Sequence, residues 1–134
     1  MKRLFIVFIL ILNCLQFNNC DPVDYKLKIY NSTGGNIYFY HWFYYPDTMI
    51  PKCNDLLDNP EDYKIKPGGT GRIGVIGSWE GMFESHDTLM IFIFDEATLK
   101  TVPWDTIRKN YMILKRYDLS LEDLVKMDWR VTYP

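Results

Sequence analysis

Tyr38, Tyr40, Trp42 and Tyr44 occur at alternate positions, so an extended backbone sets four rings with polar tips along one face. Such rings combine large contact area with few rotors, and they stack on sugars or anchor protein partners. Ile37, Phe39, His41 and Phe43 take the opposite face. One face must be core. The other is either an open binding row or is covered by the 46–62 loop or by short helices.

The remaining reactive side chains are sparse. His41 and His86 are the only histidines, and metal or acid–base chemistry would need both of them and a carboxylate in one place. Asp55, Asp58, Glu61 and Asp62 lack the alternation of a calcium loop and read as a solvated acidic stretch. Residues 69–74 match G-x-G-x-x-G, but a dinucleotide site needs a helix to follow, and Val75-Ile76 continue as strand. Ser78, Ser85 and Cys53 lie in no nucleophile motif. A non-catalytic protein with no metal ligands and no cofactor is expected.

Asp-Thr followed by an aliphatic residue occurs three times, at Thr48, Thr88 and Thr106, where composition predicts fewer than one. The tripeptide is similar to a bacterial O-glycosylation acceptor. It also suits turns and helix starts, where short polar side chains bond the backbone.

The N-terminus carries targeting information. Lys2 and Arg3 precede the apolar run 4–12, which is too short to span a bilayer and reads as a secretory signal. No Ala, Gly or Ser occurs before Ser32, which leaves Cys14 and Cys20 as small residues near the cleavage region. Lipoprotein processing acylates such a cysteine. Cys20 is favoured, since Asn18-Asn19 precede it and Asp21-Pro22 open a linker. Residues 1–19 are thus expected to be a signal peptide, 20–24 a linker and 25–134 one domain. If Cys14 is the acylated residue, Cys20 and Cys53 are free to pair.

Several elements must position these residues. Tyr25, Leu27 and Ile29 alternate with Lys26 and Lys28 as a strand. The turn at 32–36 and the aromatic run 37–45 complete a hairpin. The segments 63–66 and 72–76 flank a glycine turn as a second hairpin. The 77–87 segment is expected to be a loop. Thr88 to Phe94, apolar on both faces, reads as a central strand. Pro103 starts a short helix with Trp104 and Ile107 inward, and 111–117 returns as a strand. Ser120, with Asp123 three residues on, caps a second helix with Leu121, Leu124 and Val125 inward. Trp129, Val131 and Tyr133 alternate in a last strand.

The fold class is therefore mainly β: an antiparallel β-sandwich of about seven strands, Ig-like or similar, with two short helices near the C-terminus. Its 16% aromatic content suits pleated surfaces. Loss of residues 1–19 removes Lys2 and Arg3 and takes the formal charge from −2 to −4. That balance argues against nucleic acid and against anionic membrane surfaces as partners.

The stretch 104–134 resembles the C-terminal signature of small Bacteroidales-type envelope lipoproteins of unknown function. Trp104, Ile107, Arg108 and Asn110 form W-x-x-I-R-x-N. The run 114–124 matches L-K-R-Y-D-L-S-x-E-D-L, and Trp129, Tyr133 and Pro134 match W-x-x-x-Y-P. The resemblance implies export and attachment to the outer membrane by an N-terminal lipid, and it carries no catalytic residue. The expected function is a binding module for a glycan or an envelope protein. The alternative is an inhibitor or immunity-type lipoprotein.

Overall fold

The computed structural model describes residues 21–46 and 49–134. Cys20, the leader and Thr48 lie outside the described residues. The rest is mainly β, with seven strands in two sheets and five α-helices among the described residues.

Strand β1 (Val23–Asn31) lies between β4 (Thr70–Ile76) and β7 (Arg130–Tyr133). The second sheet runs β3 (Lys64–Ile65), β2 (Ile37–Trp42), β5 (Leu89–Asp95), β6 (Lys115–Leu119). Four of the five strand pairings are antiparallel, and β1 with β7 is parallel. An Ig constant-type domain pairs its first strand with its second. Here the first strand pairs with the fourth and the seventh, so the Ig-like expectation is corrected.

Neither expected hairpin forms. β1 and β2 belong to different sheets, and so do β3 and β4. The reason lies in the turns. Asn31 is fully buried; its amide donates to the carbonyls of Gly35 (2.8 Å) and Ile65 (3.0 Å), and its oxygen accepts from the Thr33 N–H at 3.0 Å. That clasp steers the 32–36 turn across to the other sheet. Gly68, at φ +69°, turns the chain from β3 back into β4. The glycine run therefore opens a strand, without the helix that a dinucleotide site needs.

Both sheets feed one apolar cluster. Leu27, Ile29, Ile73 and Val131 come from the first sheet, and Ile37, Phe39, Ile91 and Ile93 from the second. The central strand is as expected, with β5 buried from Leu89 to Phe94. A second cluster covers the outer face of the four-stranded sheet, where Met90, Phe92 and Phe94 meet Ile50, Leu56 and Ile107.

Five helices form among the described residues, where two were expected. Helix α1 (Asn54–Asp58) forms within the segment read as the 46–62 loop, and the 3-10 turn Pro60–Tyr63 follows it. Helix α2 (Trp79–Ser85) occupies the segment expected to be a loop. Ser78 caps it by accepting from the Gly81 N–H at 3.1 Å, and Trp79 is fully buried with its indole donating to the Asp24 carbonyl at 3.1 Å. Helix α3 (Glu96–Thr101) follows β5 directly, capped by Asp95 on the Thr98 N–H at 2.8 Å. Helices α4 (Trp104–Asn110) and α5 (Leu121–Lys126) coincide with the two segments read as helical. Ser120 and Asp123 form a reciprocal capping box. Val125 is exposed, so α5 buries Leu124 and not the stripe expected of it.

Boundaries shift in three places. β1 starts at Val23, inside the expected linker. β2 stops at Trp42, short of Tyr45. The return strand begins at Lys115, because Tyr111 takes a left-handed conformation (φ 53°) and ends α4 in a turn.

Candidate functional site

The aromatic row on β2 is not an open face. Tyr38 is 2% and Tyr40 8% exposed, while Trp42 is half-buried and Tyr44 is 65% exposed. The stretch 50–63 and helices α3 and α4 cover the first two rings. Glu96 fastens α3 in place: it accepts from Lys100 at 2.8 Å and Asn36 at 2.8 Å, and lies 3.4 Å from Lys64. The Lys100 ammonium, the Asn36 amide and the Lys64 ammonium hold its carboxyl down at about 2. As a binding row, Tyr38 and Tyr40 are thus corrected to core, since Ile50, Leu56 and their neighbours need the same apolar face.

What stays accessible is the end of β2. A cleft of about 250 Å³ opens there, lined by Tyr40, Trp42 and Tyr44, by Asp55 and Tyr63, and by Met82 and His86 of the α2 end. His41 and Phe43 also reach it. Two files of rings converge on His86. Tyr40 stacks on Trp42 at 6.4 Å and Trp42 meets Tyr44 at 5.1 Å. On the other file, His41 meets Phe43 at 6.1 Å. The His86 ring then sits 5.4 Å from Phe43 and 5.6 Å from Tyr44.

Each part has a local cause. β2 ends before Phe43, so alternation no longer separates the two faces and rings of both reach one opening. His86 caps the C-terminus of α2, with its Nδ1 at 3.2 Å from the Met82 carbonyl. Phe83 and Trp79 pack on Phe43 at 6.2 and 6.1 Å and hold α2 against the strand end.

The electrostatics separate the titratable groups. Burial lowers the His41 pKa to about 4, so its ring is neutral across the physiological range. Its Nδ1 is buried with no hydrogen-bond partner among the described residues. Burial raises the Tyr40 phenol to about 12. The structure thus brings both histidines and Asp55 to the walls of one cleft, although among the described residues no three His, Cys, Asp or Glu side chains are grouped to hold a metal ion. Cys53 is buried with no disulfide partner among the described residues, and burial pushes its thiol up.

A second, wider groove of about 620 Å³ is lined by Met49, Asp105, Arg108, Lys109, Tyr111 and Arg116. Arg108 donates to the Ile50 carbonyl at 2.7 Å, and Arg116 pairs with Asp118 at 2.6 Å. Thr88 and Thr106 are both half-buried.

Sequence reasoning missed Asp55, Tyr63, Met82 and His86 as cleft residues. One signal was present: Ser78 before Trp79, Met82 and Phe83 is a cap followed by i, i+3, i+4 spacing. No helix among the described residues is long and apolar enough to cross a membrane. No family model, curated protein or solved structure matches the chain.

Proposed function

We propose that this chain is an exported, lipid-anchored β-sandwich of the cell envelope whose cleft at the end of β2 binds a glycan. The observation that carries the binding assignment is the convergence of Trp42, Tyr44 and His86 on an accessible opening beside Asp55. Ring faces suit the apolar faces of a sugar, and the Asp55 carboxylate and the tyrosine hydroxyls suit its hydroxyl groups. Anchoring is assigned to Cys20, on the basic start, the short apolar run and the flanking Asn18-Asn19 and Asp21-Pro22. O-glycosylation is assigned to Thr48 or Thr106. Thr88 adjoins the buried strand β5, where a glycan would oppose burial.

A second reading is acid–base catalysis, and it is favoured by one observation: His41, held neutral, shares the cleft with His86 and Asp55.

The test is expression in a Gram-negative host with fatty-acid labelling, followed by capture from solubilised envelope. Label should enter the wild type and not Cys20→Ser, and saccharide should be retained by the wild type and not by Trp42→Ala. Label lost in Cys14→Ser instead moves the anchor. Retention of an envelope protein without saccharide favours the inhibitor or immunity-type alternative. Turnover of the saccharide favours the catalytic reading.

A further inference from the structure

Among the described residues, no element covers the outer face of the three-stranded sheet, unlike that of the four-stranded sheet. Lys28 is the cross-strand partner of Arg72 on one side and of Arg130 on the other. All three side chains are exposed and point away from the core, since Leu27, Ile29, Ile73 and Val131 point into it. Strand spacing sets them in a row about 10 Å long. Among the described residues none of the three has a carboxylate within ion-pair distance. Neighbouring Lys26, by contrast, pairs with Asp24 at 3.3 Å and Glu80 at 2.9 Å. Like charges directly opposite one another destabilise a sheet. On a chain whose net charge is negative, such a row calls for an anionic partner.

The same face turns apolar toward the start of β1. Val23 pairs with Ile76, and the two are 43% and 74% exposed. Tyr25, 54% exposed, lies over Gly74, where a Cβ would stand 2.5 Å from its ring. Glycine at that position lets the ring lie flat. Apolar groups and an amphipathic ring at one end of a flat face, with cations beyond them, match the layering of a bilayer interface. The apolar end is also the end at which the chain enters the domain, three residues after Cys20.

We propose that this face docks on an anionic membrane surface, with Arg72, Lys28 and Arg130 against the headgroups and Val23, Tyr25 and Ile76 nearest the acyl boundary. Net charge alone argued against such a partner, but among the described residues no carboxylate pairs with these three cations. The proposal rests on the anchored reading only for its orientation. The charge match stands on the sheet alone.

The experiment measures partition of the full chain onto vesicles of phosphatidylcholine and onto vesicles with phosphatidylglycerol in equal part, at low and high salt. The wild type is compared with the triple variant Lys28→Gln, Arg72→Gln, Arg130→Gln. The N-terminal segment is the same in both proteins, so the quotient between the two vesicle types reports the sheet face and not the anchor. About fivefold is expected per cation, so the wild-type quotient should exceed that of the triple variant by about a hundredfold at low salt and converge with it at high salt. The triple variant should melt no lower than the wild type, which separates loss of docking from loss of fold. Equal quotients in the two proteins overturn the proposal. So does retention on an acidic polysaccharide such as alginate with no vesicle preference, which assigns the row to a soluble polyanion. If neutral vesicles retain neither protein, the anchor is contradicted and the comparison is made on the anionic vesicles alone, where the same ratio of wild type to triple variant, about a hundredfold, is expected at low salt.

Discussion

The Phe43 and His86 rings lie 5.4 Å apart, and this contact joins the end of β2 to the end of α2. It makes one wall of the cleft out of two elements 43 residues apart in the chain. His86→Ala should therefore weaken saccharide binding about tenfold while costing only about 1 kcal/mol of stability, the worth of a pair of ring contacts. Chemical denaturation and a binding titration measure the two effects. A stability loss well above that value, with binding unchanged, would make His86 a packing residue only.

His41 makes stability depend on pH. Its folded pKa of about 4 lies below the ordinary value of 6.5, so the unfolded chain takes up a proton that the folded chain refuses. Stability contributed by this group is full above about pH 6.5 and is lost as pH falls toward 4. The expected loss is about 2 kcal/mol, reduced from the full shift because the ring is partly exposed. Urea melts between pH 7 and 4 should show that slope, and His41→Phe should flatten it.

Asn31 is the buried hinge between the sheets. Asn31→Ala leaves the Gly35 and Ile65 carbonyls and the Thr33 N–H without their partner. A loss of about 3 kcal/mol is expected in urea melts. A loss under about 1 kcal/mol would mean that the 32–36 turn holds its course without the clasp.

Trp104 packs on Phe94 at 5.6 Å but is half-buried, and its indole Nε1 is buried with no hydrogen-bond partner among the described residues. Full burial would make Trp104→Ala cost about 3–5 kcal/mol. About 2 kcal/mol is expected here, because part of the ring already meets solvent. Ile107, which is buried in the same cluster, should cost more per atom removed. Paired melts of the two alanine variants test that order.

Periodicity made some of the fold legible. The apolar run through β5 and the Ser120–Asp123 box are local signals, and both appear in the structure. Pairing was not legible, because proximity in sequence favoured hairpins while the Asn31 and Gly68 turns send successive strands to opposite sheets. At the site, alternation identified the ring row on β2. It could not show that Ile50 and Leu56 would cover Tyr38 and Tyr40, since that contact depends on where a distant loop folds back. His86 was invisible as a partner for the same reason.

The central claim is that the end of β2 holds a saccharide. The most direct measurement is a titration of the full chain, in its wild-type and Trp42→Ala forms, with a panel of neutral hexose and N-acetylhexosamine oligosaccharides, read by two-dimensional NMR of the His86 imidazole. At least one saccharide should shift the His86 resonance saturably, and Trp42→Ala should weaken this binding by about tenfold or more while the fold stays intact. Saturable binding that leaves His86 unmoved, or that Trp42→Ala leaves unchanged, would contradict the claim, as would a panel that produces no shift at all.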